Sequence, residues 1–292
     1  MAREYKLVDS FVTLGAKPNE QVQDPNIARW FKNPIPFSEM TIEKIVTDME
    51  EAEIEMAILT ANGAAMQRLV TGGPYRVGEE IDDEAFDAAC RNIAEIRSRY
   101  PGRFHGCVAI DPTGLMKSVR QLERAVRNFE MLSCWIMPAL VGLPPNHASY
   151  FPIYAKCIEL GIPVRINLGV PGPLLPARSQ QPIHLDEVLL AFPELTVVGT
   201  HVGHPWHLET VALLQKHANF YLMTAGWAPK HVPQEIWQFA NSRGATKVMW
   251  ASDFPLLTMQ RCAKEGWNAP LKEDIKRRYL RDNALAVFKL MS

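Results

Sequence analysis

The chain has 292 residues, 47% of them hydrophobic and 22% charged, and its 31 Lys and Arg against 32 Asp and Glu leave a net charge of -1. That apolar content supports a large core and excludes global disorder, while the balanced charge excludes the basic face of a nucleic-acid partner. No apolar run approaches the roughly 18 residues of a membrane span, so no membrane partner is expected.

In chain order, Lys6 to Thr13 reads as a first strand and residues 14–40 as a long loop. Thr41 caps a helix that continues through Met49, and Met56 to Thr60 is a second strand. Residues 61–81, with Gly72-Gly73-Pro74, form a second long loop; both loops are lid or subunit-contact candidates, and Arg29-Trp30-Phe31 is placed to reach the mouth or a neighbouring subunit. Asp82 to Tyr100 is a helix closed by Pro101-Gly102. Phe104 to Ile110 and Ser133 to Leu140 are strands three and four, separated by a helix over Gly114 to Met131. A helix over Tyr150 to Leu160 ends at Gly161, before strand five over Pro163 to Leu168. His184 to Ala191 is helical, Leu195 to Val202 is strand six, and His207 to His217 is helical. Phe220 to Thr224 and Lys247 to Ser252 are strands seven and eight, flanking a helix over Pro233 to Arg243, and 256–292 is mostly helical.

Eight strands alternating with helices predict an α/β fold, a (β/α)8 TIM-like barrel, as one domain over 1–292. A doubly wound sheet is disfavoured, because Val12-Thr-Leu-Gly-Ala16 after strand one carries no GxGxxG. The N-terminus lacks the apolar core of a signal peptide. Cys90, Cys107, Cys134, Cys157 and Cys262 form no CxxC pair, so a reducing, cytoplasmic location is expected.

Chemistry in such barrels sits at the C-terminal ends of the strands. His201-Val-Gly-His204-Pro-Trp206 follows strand six, and Ser252-Asp253-Phe-Pro255 follows strand eight; the bland readings are a solvated loop and a helix cap. Arg165 and Asn167 share one face of strand five. A lumen-facing Arg165 needs an anionic partner, which is Asp253, Asp9 or a substrate carboxylate. Asp9 itself reads as structural. Trp206 and Trp227 are candidate pocket walls, whereas Trp250 reads as barrel packing. HExxH, Walker A and GxSxG patterns are absent from the sequence.

These residues resemble the amidohydrolase-related family, whose members include aminocarboxymuconate-semialdehyde and resorcylate decarboxylases and pyrone-dicarboxylate lactonase. Tyr100-Pro-Gly-Arg-Phe104, Ala109-Ile-Asp-Pro112, Leu160-Gly-Ile-Pro-Val164, Thr200-His-Val-Gly203, Ser252-Asp-Phe-Pro255 and Asp282 to Phe288 carry the resemblance nearly end to end. It implies the distorted barrel of the amidohydrolase superfamily and a homodimer. It also implies Asp-x-His-x-His after strand one and a histidine on strand five, as metal ligands. Here Phe11, Thr13 and Asn167 stand at those positions, and only His201 and Asp253 match. No cofactor is therefore expected; a divalent metal such as zinc, held with help from His204, is the alternative.

The expected function is metal-independent hydrolysis of a small anionic, lactone-like substrate. Asp253 would act as general base, His201 or His204 would polarise the carbonyl or protonate the leaving oxygen, and Asn167 would stabilise the oxyanion. Arg165, with Arg76 from a loop, would hold the carboxylate. Two alternatives stand beside it. One is a carboxy-lyase or hydratase on an aromatic or unsaturated acid, with His201 protonating carbon and Asp253 orienting it. The other is an inactive ligand-binding relative.

Overall fold

The computed structural model describes residues 3–14, 29, 41–61 and 83–290. Arg76, Trp30, Phe31 and most of both expected long loops lie outside those residues.

Eight strands pair in chain order, every neighbour parallel, from β1 (Leu7–Thr13) and β2 (Ile54–Ala61) through β3 (Phe104–Ala109) and β4 (Met131–Ile136). They continue with β5 (Val164–Asn167), β6 (Val197–Thr200), β7 (Phe220–Met223) and β8 (Val248–Met249). The seam closes beyond β8, where the Thr13 amide donates to the Phe254 carbonyl at 2.8 Å and the Asp253 amide to the Phe11 carbonyl at 3.1 Å. Parallel pairing requires a crossover between strands. These include α1 (Ile42–Glu51), α2 (Asp83–Arg99), α3 (Met116–Phe129), α4 (Pro138–Val141) and α5 (Phe151–Leu160). α6 (Leu185–Ala191), α7 (His207–Lys216) and α8 (Gln234–Ala240) follow, and α9 (Met259–Trp267), α10 (Glu273–Arg277) and α11 (Asn283–Phe288) complete the chain.

The caps follow from local chemistry. Thr41 Oγ1 accepts the Lys44 amide at 3.2 Å at the start of α1. α5 ends where Gly161 turns to φ +66°, a conformation that costs glycine nothing. Several elements are shorter than expected, β8 most of all, and for two of them the reason is local. The predicted strand over Ser133 to Leu140 stops at Ile136, because Pro138 cannot donate to a ladder and its preset φ opens α4 instead. The predicted strand to Val202 stops at Thr200, because His201 and Val202 leave the β region.

Strand alternation divides the apolar residues into two layers. Leu7, Ile54, Phe104, Ile136, Val164, Val197, Leu222 and Val248 pack outward beneath the helices. Val8, Met56, Ile58, Cys107, Trp135, Val198, Met223 and Met249 point into the lumen. Each such burial contributes roughly 1.5–3 kcal/mol. The C-terminal segment closes the floor. Ala284, Phe288 and Leu290 join the lumen cluster, and Asn283 Nδ2 donates to the Val248 carbonyl at 2.7 Å. The lumen therefore presents its chemistry at the opposite end, where the strands finish. No helix among the described residues is long and apolar enough to cross a membrane.

Candidate active site

The ends of β1, β5, β6, β7 and β8 converge on one pair of side chains. His201 Nδ1 lies 3.7 Å from Asp253 Oδ2. The same Nδ1 is 2.9 Å from the Ala225 carbonyl. A carbonyl only accepts, so Nδ1 carries the hydrogen, and Nε2 is the ring atom left to exchange a proton with a ligand. Asp253 is 4% exposed, and its Oδ2 has no hydrogen-bond partner. Burial pushes its carboxyl up from the ordinary range, while His201 and Arg165 pull it back. Such a carboxyl combines desolvation with a specific charge partner, the pattern of a working acid or base.

The backbone presents this pair under strain. His201, Val202 and Asp253 hold φ of +68°, +52° and +59°. Left-handed backbone costs an L-residue about 1–2 kcal/mol, and β-branched Val202 tolerates it worst. Three such residues at two strand ends are a concentration of strain characteristic of functional sites. Gly226, after β7 with φ +71°, lies against both groups. A Cβ built on it would stand 2.8 Å from Asp253 Oδ2 and 2.9 Å from His201 Nδ1.

Asn167 is held from behind. Its Oδ1 accepts from Trp135 Nε1 at 2.5 Å and from Thr200 Oγ1 at 2.7 Å, which orients the amide so that Nδ2 faces away from both. Phe11 packs edge-on against Trp135 at 6.0 Å and lies 6.1 Å from the His201 ring. Aromatic rings thus wall the space above Asn167.

Asp9 has a structural role. Its carboxylate accepts the Ser252 amide at 3.0 Å, the Ser252 hydroxyl, and the Phe11 amide at 3.2 Å, tying β1 to the turn that carries Asp253. Burial raises its pKa from 3.8 to about 6, against the Ser252 and Phe11 hydrogen bonds that lower it. Between these two values the folded chain holds a proton that the unfolded chain has released. Asp9 therefore lowers stability as pH rises from about 4 to about 6, by about 3 kcal/mol in all. Urea unfolding of wild type and Asp9→Asn across that range tests this: the difference between the two should shift by that amount, and a pH-independent difference would refute it.

Arg165 shares the lumen face with Asn167, as expected; of the two internal partners the sequence suggested, Asp253 acts on its charge through space without forming an ion pair. Asp9 is occupied by Ser252, and no carboxylate among the described residues forms an ion pair with the guanidinium. Nor does Arg165 reach the mouth: it is fully buried, with the Phe11 ring 4.1 Å from its Cζ. His204 makes its ring contacts with His207 and Trp227. It is exposed, stacked on His207 at 6.1 Å and tilted against Trp227 at 5.2 Å, so His204 and Trp227 form a rim. The Trp206 carbonyl opens α7 by accepting the Glu209 amide at 3.0 Å, and Trp250 is buried as packing. Phe11, Trp135, Thr200 and Gly226 were not among the expected site residues. Strand alternation could have placed Trp135 and Thr200 in the lumen beside Arg165 and Asn167; nothing local marks Gly226.

Comparison with solved structures extends these observations. An uncharacterised TIM-barrel protein from Bordetella bronchiseptica superposes with a TM-score of 0.77 at 20% identity, over 98% of this chain and 99% of that one. The 2,6-dihydroxybenzoate decarboxylase from Rhizobium gives 0.73 at 15% identity, covering 98% and 99%. The 5-carboxyvanillate decarboxylase from Novosphingobium aromaticivorans gives 0.74 at 17% identity, covering 98% and 97%; it was crystallised with manganese and 4-hydroxy-3-methoxy-5-nitrobenzoic acid. No curated protein matches the sequence.

The manganese corrects the expectation that no cofactor is needed: a divalent metal accompanies this fold in a decarboxylase. The sequence argument compared positions on strands one, five, six and eight with the family's ligand set, where only His201 and Asp253 match. In this chain the described residues supply His201 and Asp253 side by side, and no group of three His, Cys, Asp or Glu among them could hold an ion. Two donors fall short of the three protein ligands of a catalytic site. The described residues alone do not fit the metal, and the chemistry below is derived from the side chains present. The amidohydrolase family model matches residues 40–290, and the chain belongs to the amidohydrolase family.

Proposed function

We propose that the protein is a carboxy-lyase acting on an aromatic carboxylic acid. The observation that carries this reading is the buried, unpaired Asp253 Oδ2 facing His201 at 3.7 Å beneath an aromatic wall. The decarboxylases that share the fold support it over lactone hydrolysis. In this reading the ligand is a small-molecule carboxylate whose flat ring lies between Phe11 and the Trp227–His204 rim. Asn167 Nδ2 donates to an oxygen of that ligand and holds it in register.

The chemistry then needs one proton at carbon. His201 Nε2 delivers it to the ring carbon that bears the carboxylate. The bond to the carboxylate breaks, its electron pair returns to the ring, and carbon dioxide leaves. Asp253 stabilises the imidazolium before transfer; the transfer leaves a neutral imidazole, which takes its next proton from solvent. Gly226, lacking a side chain, lets the backbone after β7 lie against both groups without displacing either.

The test is incubation with a panel of hydroxylated benzoic acids, with and without added manganese, in deuterium oxide. The expected result is carbon dioxide release with one deuterium at the vacated ring position. Ring-opened acid from carboxylated lactones, with no carbon dioxide from any benzoate, would overturn the proposal in favour of hydrolysis.

A further inference from the structure

The lumen holds a second polar cluster that the proposed chemistry does not use. Arg165 is fully buried on β5, and its Nε, Nη1 and Nη2 all lack a hydrogen-bond partner. Ser133, fully buried on β4, has an unpartnered hydroxyl. Cys107 on β3 pairs in register with Ser133, and its thiol lies beside the guanidinium without meeting hydrogen-bond geometry. Phe11 covers the guanidinium with its ring at 4.1 Å. The Trp135 indole N–H beside it is already committed to Asn167.

We propose that Arg165 and Ser133, with the Cys107 thiol alongside, form a buried site for a small monovalent anion of halide size. The cluster is rich in donors, and its own acceptors, the Ser133 hydroxyl and the Cys107 sulfur, are neutral. The guanidinium nitrogens and the Ser133 hydroxyl have no hydrogen-bond partner among the described residues, and Asp253 acts on the guanidinium through space without forming an ion pair. Buried charge without a partner is costly, and a ring face compensates a cation on one side only. A water molecule would accept hydrogen bonds but leave the charge uncompensated. An anion satisfies both needs. The lack of exposure and the Phe11 cover separate this position from the mouth, which favours a resident inorganic ion over the carboxylate of a substrate. The assignment does not depend on the carboxy-lyase reading.

Bromide is the probe. Crystals soaked in sodium bromide are expected to show an anomalous peak against the Arg165 guanidinium. Melting in sodium chloride or bromide should exceed that in sodium gluconate at equal ionic strength by several degrees. Arg165→Met should abolish this halide-specific increment. Ser133→Ala, which keeps the charge and the packing, should weaken halide affinity several-fold, and it keeps the test decisive if Arg165→Met does not fold. No anomalous peak at Arg165, together with equal melting in halide and gluconate, would overturn the site. A halide that competes with substrate in turnover assays would overturn the resident ion and give the guanidinium to the ligand.

Discussion

Replacing Asp253 with Asn should lower turnover by about 10²–10⁴-fold, the usual contribution of a positioned acid–base group. The substitution suits the question because it separates chemistry from fold. Asp253 holds φ +59°, and Asn is the residue that best tolerates this conformation after glycine. The Asp253 amide still donates to the Phe11 carbonyl, and Asp9 still holds Ser252. What disappears is the carboxylate beside His201 Nδ1, and with it the charge that stabilises the imidazolium. Carbon dioxide release, ligand affinity and the melting temperature together provide the measurement. The expected result is a large loss of kcat with affinity and melting close to wild type. Turnover within threefold of wild type would remove Asp253 from the chemistry.

Gly226→Ala should have an effect of similar size for a different reason. Its Cβ would stand 2.8 Å from Asp253 Oδ2 and 2.9 Å from His201 Nδ1, closer than real Cβ atoms approach, so one of the two must move. A displacement near 1 Å in a reacting group costs about 10² in rate. The positive φ at Gly226 adds a backbone penalty of about 1 kcal/mol. Gly102→Ala separates these effects, because Gly102 has φ +74° but nothing within 4 Å of the added Cβ. Both variants should lose comparable stability, and only Gly226→Ala should lose turnover. Equal turnover in the two would show that the His201–Asp253 pair is not where the reaction occurs.

Much of the architecture was legible in the sequence because strands and helices carry different periods. Alternation around Leu7-Val8 and Val197-Val198, and caps such as Thr41 and Gly161, are local signals set by backbone geometry. His201, Asp253 and Asn167 were legible for a related reason: polar residues at the ends of apolar strands stand out wherever a barrel presents its chemistry. The partners of Arg165 were not legible. Two carboxylates lay within plausible reach, and only the seam between β1 and the turn after β8 shows Asp9 committed to Ser252. The cofactor expectation rested on Phe11, Thr13 and Asn167 at the family's ligand positions, and what overturns it is the manganese bound in a decarboxylase of the same fold.

The sequence by itself determined the order and type of the elements, the barrel, the family resemblance, and the residue types available at the strand ends. Each of these depends on neighbours within a few positions, and the backbone periods of 2 and 3.6 record them. The tertiary structure decided the rest. It turned His201 and Asp253 toward each other through left-handed backbone, placed Gly226 against them, and sent His204 to the rim. It also buried Arg165 beneath Phe11 without an ion-pair partner among the described residues. These are relations between residues as far apart as Phe11 and Arg165, or His201 and Asp253. They arise when separate strand ends are brought within a few ångströms by the closing of the barrel, and no local pattern in the chain encodes them.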